Sequence, residues 1–297
     1  MDDNVKAVLE KYSWEAYPSK HLKYFEIGAF DLETSLASDE VMHITDQKVS
    51  DADCTALGKA LTLMKPENMK NIYLSNNDIG DEGCIRIAQA ASTLPNFELL
   101  FIAQNSIGDA GASACFQQLA PTKIWQLVLT DNKFGDASMK ALADAVAKDG
   151  SAFSSLKWLF LDGSQVGDKG IADLVKALTG GMKAVTRLAL QRTKLTNKGL
   201  KQLVRARIEP SHTHARTHSR PTRSLSLTLL PSTHARPFVH AQAQAISDGA
   251  LPKCEYIYVQ ENDFDQSGKQ FLKAATKPRG IRVHFGWPPP LPGVEYD

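Results

Sequence analysis

No segment of this 297-residue chain holds the roughly 18 consecutive apolar residues of a membrane span. Charge of one sign is lacking too: the formal net charge is +1. The first absence argues against a helical membrane anchor. The second argues against nucleic acid or membrane as a partner held mainly by electrostatics. The opening MDDNVKAVLEKYSW is acidic, without a basic start and a following apolar run, so no secretory signal is expected and the expected location is cytoplasmic. The four cysteines (Cys54, Cys84, Cys115 and Cys254) lie far apart with no CxxC pair, which speaks for reduced thiols rather than a disulfide framework. The sequence also lacks HExxH, GxxxxGK[ST], GxSxG and any glycine-rich phosphate loop after a strand. No enzyme, no cofactor and no metal site is predicted.

What is present is a period. NIYLSNNDIGDEG, LLFIAQNSIGDAG, QLVLTDNKFGDAS, WLFLDGSQVGDKG, RLALQRTKLTNKG and YIYVQENDFDQSG share one pattern, apolar-x-apolar-x-x-Asn-x-apolar, with a rougher earlier copy in VMHITDQKVSDAD. Gln47, Asn77, Asn105, Asn132, Ser164, Thr193 and Asn262 occupy the Asn place, with spacings of 30, 28, 27, 32 and 29 between the first six. A further apolar residue follows eight positions after each motif, at Leu57, Ile87, Cys115, Leu142, Leu174, Leu203 and Leu272.

Each part of the unit has a physical reason. Alternation with period two predicts a short strand whose pairs, such as Ile72 with Leu74 and Leu159 with Leu161, face a core. The Asn amide has donors and acceptors with which to satisfy the backbone where the chain leaves the strand. Asp51, Asp81, Asp109, Asp136, Asp168 and Asn197 stand directly before helical apolar patterns and are predicted to cap their own helices. Gly83, Gly111, Gly170 and Gly199 follow two residues later, where a close approach is expected.

These motifs resemble the ribonuclease-inhibitor-like subtype of leucine-rich repeats. The resemblance implies an α/β solenoid of about seven repeats over residues 41–285, curved because strands stack ~4.8 Å apart whereas helices need ~10 Å. It implies a parallel sheet on the concave side and helices on the convex side. It also implies binding of a protein partner. Ran GTPase-activating proteins are built from similar repeats, which adds regulation of a small GTPase as an alternative. A structural role in a cytoskeletal or flagellar assembly is another.

Residues 1–40 carry Val5, Val8, Leu9, Tyr12, Trp14 and Tyr17 and read as a capping segment, since a solenoid must cover its terminal cores. GIRVHF reads as a final strand, and 286–297 as a proline-rich tail whose PPPLP resembles a docking motif. Thr193 and Asn262 are 69 apart rather than about 29. Between them, 206–244 is rich in His and Arg and reads as a disordered insert whose excision restores the repeat. His212, His214, His218 and His234 lie in it without a scaffold and read as solvated rather than metal-binding.

The candidate site follows from strand parity. Positions between and after the buried pair should face away from the core, and on the concave side they include Tyr73, Phe101, Val128, Trp158, Phe160, Asp162, Arg192, Tyr256 and Tyr258. A column of rings with a polar border has the composition of a protein-binding hot spot. These residues are expected to face solvent, so that truncating them should scarcely affect folding. The chain is expected to be monomeric by itself.

Overall fold

The computed structural model describes residues 41–64, 67–205 and 253–285. The expected capping segment (1–40), the insert (206–244) and the tail (286–297) lie outside the described residues. Among the described residues, eight strands of three residues form one parallel sheet in sequence order. They are β1 Val41–His43, β2 Asn71–Tyr73, β3 Leu99–Phe101, β4 Gln126–Val128, β5 Trp158–Phe160, β6 Arg187–Ala189, β7 Tyr256–Tyr258 and β8 Arg282–His284. Helices follow the first seven: α1 Asp51–Met64, α2 Asp81–Ala91, α3 Asp109–Leu119, α4 Asp136–Lys148, α5 Asp168–Gly180, α6 Asn197–Arg205 and α7 Gln266–Thr276. The expected last strand in GIRVHF is β8, paired with β7. The architecture is the leucine-rich-repeat solenoid that the spacing predicts.

β6 pairs with β7 in register, Leu188 opposite Ile257, although the extra length of chain separates them. The Asn262 amide closes that joint: its Oδ1 accepts from Thr193 N at 3.1 Å and Leu195 N at 3.3 Å.

The core lies between sheet and helices. Ile72, Leu74, Leu159 and Leu161 are fully enclosed there, as are Ile87, Cys115, Leu142, Leu174 and Leu272 from the helical position eight residues on. At ~25 cal/mol per Å², each such side chain contributes about 2 kcal/mol when buried. Single repeats have too little apolar surface to fold alone, and stacking supplies the rest.

The Asn positions act as expected, and they bond back to the preceding repeat as well as locally. Asn105 Nδ2 donates to Leu74 O and Ala103 O at 3.0 Å each, while its Oδ1 accepts from Ile79 N at 3.1 Å. Asn132 repeats the arrangement one turn later, toward Ile102 O, Leu129 O and Ile107 N. Ser164 is too short to continue it, and its buried hydroxyl has no partner.

The aspartates are a correction. Gly80, Gly108, Gly135 and Gly167 occupy the N-cap positions of α2 to α5, with no side-chain cap bond to the same helix. Each Asp instead reaches into the next repeat. Asp51 Oδ1 accepts from Gly80 N at 2.7 Å and Gly83 N at 3.0 Å, and Asp81 does the same for Gly108 N and Gly111 N at 2.6 and 2.9 Å. Asp136 serves Gly167 N and Gly170 N, and Asp168 serves Thr196 N and Gly199 N. The carboxylate still satisfies free amides at a positive helix end, but that end belongs to the neighbouring helix. This explains the glycines: a Cβ on Gly199 would stand 2.3 Å from Asp168 Oδ1. Ser138 holds the equivalent place in α4 and keeps its amide bond to Asp109 at 3.1 Å, so the joint can yield slightly. Asp265, before α7, is a true cap and accepts from Gly268 N at 3.0 Å.

Asp168→Ala is therefore expected to loosen the contact between α5 and α6 rather than the start of α5. The cost should be on the order of 1 kcal/mol, as for other lost caps. Amide hydrogen exchange would check it: Gly199 should lose more protection than residues of the first turn of α5.

Candidate functional site

The sheet face turned away from the helices, the concave side of the stack, carries a second apolar cluster. Tyr73, Leu99, Phe101, Ala103, Val128, Phe160, Ala189 and Tyr258 compose it, with Val41, Trp125, Trp158 and Tyr256 packed alongside. Register aligns the rings: Tyr73 lies opposite Phe101, Phe101 opposite Val128, and Val128 opposite Phe160. Tyr73 and Phe101 approach to 5.8 Å between centroids. His43 stacks on Tyr73 at 5.1 Å, and His284 on Tyr258 at 5.1 Å. Burial lowers the pKa of both imidazoles, that of His43 to about 4, so both rings are neutral at physiological pH.

The expectation of solvent-facing residues fails for most of this column. Tyr73, Phe101, Val128, Phe160 and Tyr258 are 8, 9, 1, 4 and 5% exposed. Strand spacing is the physical reason. Parallel neighbours ~4.8 Å apart are closer than the width of a ring, so each side chain in an in-register column covers the next. These residues support the surface rather than form it.

Asp162 is corrected as well. It is 6% exposed, with Oδ1 accepting from Gln191 N at 2.8 Å and Oδ2 from Thr130 Oγ1 at 3.3 Å. Desolvation by burial pushes its carboxyl up to about 6 against these bonds. A folded-state value above the unfolded one means stability present at low pH and lost as pH rises toward 6. Asp162→Asn should thus be more stable than the wild type at neutral pH. The advantage should disappear near pH 4, where the unfolded carboxyl also takes up its proton. Melting curves of both proteins across that window would measure it.

Three expected residues remain accessible: Trp158 and Tyr256 are half-buried, and Arg192 is exposed. Arg192 bonds Asp131 at 2.6 Å, two repeats away, and Gly163 lies in the repeat between them. Gly163 has φ of +65°, and a Cβ there would meet Asp131 Oδ1 at 1.9 Å. Asp46, Asn76, Gln104, Asp131, Arg192 and Glu261 take the same left-handed turn in their own repeats, with φ between 48° and 60°. At Gln104, Arg192 and Glu261 this conformation lacks the local side-chain bonding that helps Asn and Asp.

Two accessible residues were missed from the sequence. Arg187 and Arg282 share the strand column of Trp158 and Tyr256, in the order Trp158, Arg187, Tyr256, Arg282. The Arg187 guanidinium lies 4.1 Å from the Trp158 ring centroid and 5.3 Å from that of Tyr256. Trp125 meets Trp158 edge-on at 5.2 Å. Aligning every copy of the motif by strand position would have found both arginines, because parity places them on the same face as the rings.

A leucine-rich-repeat family model matches residues 66–88 and 122–143. Each match contains one strand, its Asn turn and the start of one helix, the unit that repeats through the whole sheet. The chain is built of leucine-rich repeats. Among curated relatives of this leucine-rich-repeat chain, the mouse (Mus musculus) protein NACHT, LRR and PYD domains-containing protein 5 is 28% identical over 177 residues, 49% of this chain. Mouse Protein NLRC5 is 27% identical over 157 residues, 53% of this chain. The chain spans 15% and 8% of the length of these two relatives. A solved internalin from Listeria monocytogenes aligns with 96% of this chain and 68% of its own, at 14% identity and a TM-score of 0.38, an overlap too loose to carry weight.

Leucine-rich-repeat proteins typically mediate protein–protein interaction and are in general scaffolds rather than enzymes. Among the described residues no helix is long and apolar enough to cross a membrane. No group of three metal-ligating side chains occurs among them either.

Proposed function

We propose that this leucine-rich-repeat chain binds a protein partner through its concave sheet face, at the row formed by Trp158, Arg187, Tyr256 and Arg282. The observation that carries the reading is the half-open aromatic pair with a guanidinium between its rings. Large rings and arginine dominate protein-binding hot spots. Here they stand on a support that is already packed, so little side-chain entropy remains to be lost on docking. Phe160 stacks on Trp158 and Tyr258 on Tyr256, which keeps the row in place.

Trp158→Ala with Tyr256→Ala is expected to weaken a partner recovered by affinity pull-down by roughly thirtyfold or more, since one hot-spot residue is worth ~2 kcal/mol. Lys140→Ala and Lys201→Ala, on the helical side, should change binding little. Calorimetric titration at matched thermal midpoints is the measurement. Equal binding by wild type and the double variant would remove the concave row from consideration.

A further inference from the structure

We propose that the segment of the partner seated on this row is an acidic polypeptide, with two carboxylates about 10 Å apart, one for Arg187 and one for Arg282. The inference rests on the docking role proposed above and names the chemistry of what docks. Arg187 stands on β6 and Arg282 on β8, two strand spacings apart. Arg187 is held between Trp158 and Tyr256, and Arg282 lies 5.5 Å from the Tyr256 centroid while donating to its hydroxyl at 2.9 Å.

Charge complementarity decides the occupant. Arg86, Lys140, Lys176 and Arg192 each have a carboxylate partner within the chain. Neither Arg187 nor Arg282 has one among the described residues, and the adjacent Glu255 pairs with neither. The buried acid of this face, Asp162, is engaged by Gln191 N and the Thr130 hydroxyl. A guanidinium over a ring gains cation–π attraction yet keeps most of its five N–H donors open in a planar fork. That fork matches a carboxylate bidentately, and the ring beside it excludes water from the pair. A polyproline-type segment rises ~3.1 Å per residue with three residues per turn, so acidic residues at i and i+3 would present both carboxylates on one side at the required spacing.

The test uses the full chain and a fluorescent peptide of about twelve residues, proline-rich, with glutamates at i and i+3. The same peptide with glutamines and a single-stranded oligouridylate of similar length are the comparisons. Anisotropy should show the glutamate peptide binding at least about tenfold more tightly than the glutamine peptide. Its affinity should fall severalfold between about 50 and about 300 mM salt. Arg187→Gln with Arg282→Gln should abolish the difference between the peptides. Arg187→Lys should restore only part of it, because a lysine lacks the fork. Arg282→Gln alone changes an exposed side chain and provides the result if the double variant folds poorly; it should reduce the preference. Equal binding of the two peptides, tighter binding of the oligouridylate, or no effect of Arg282→Gln would each overturn the proposal. A partner weakened by Trp158→Ala with Tyr256→Ala but indifferent to the arginine changes would leave the docking role standing and remove the acidic chemistry alone.

Discussion

Asn132→Ala is expected to lower the unfolding free energy by about 3 kcal/mol, more than most single polar substitutions. Asn132 is 3% exposed, and its amide serves Ile107 N on one side and the carbonyls of Ile102, Leu129 and Thr130 on the other. Removing the side chain strands groups of two repeats at once, and a single water in the vacated space could not reproduce all four bonds with their geometry. Asn132→Asp should be at least as harmful, since it keeps the acceptor, loses the donor and buries a charge. Because Asn132 sits mid-stack, the urea transition should also broaden as the two halves unfold less cooperatively. A midpoint and slope unchanged from wild type would show that the ladder adds nothing beyond local turn geometry.

Phe160→Ala is expected to cost about 3 kcal/mol of stability, as truncation of an enclosed aromatic does elsewhere. The ring is 4% exposed, stacked 6.1 Å from Trp158 and in register with Val128 and Ala189. Sequence parity alone marks it as a surface residue whose loss folding would ignore. Chemical denaturation separates the two: a change below about 0.5 kcal/mol would support the surface reading. Phe160→Leu should recover more than half of the loss, since volume and apolarity count here more than ring chemistry. Partner binding measured on Phe160→Ala would therefore mix support with contact. Trp158 and Tyr256 are the cleaner probes.

The division of labour among residues explains why some roles were legible and others were not. The interior pattern is local: Ile72 and Leu74 alternate within one strand, and Ile87 follows at helical spacing, so chain order alone implies strand, turn, helix and the repeat of all three. The Asn of each turn is equally local, since part of its bonding lies within three residues of itself. Membership of a solenoid followed from these.

What one repeat does to its neighbour needed the tertiary structure. Asp81 precedes a helix in the sequence and so reads as its cap, but stacking brings the amides of Gly108 and Gly111 to its carboxylate. Phe101 alternates outward from its strand, yet Tyr73 and Val128 arrive at its flanks only when three strands, 28 and 27 residues apart, lie side by side. Arg187 looks like any polar strand residue until Trp158 and Tyr256 close on it from both sides. Side-chain periodicity is a property of one strand or one helix and is written in adjacent residues. Burial, capping across repeats and cation–π contact depend on distances between segments tens of residues apart, which only the ~4.8 Å stacking of the strands determines.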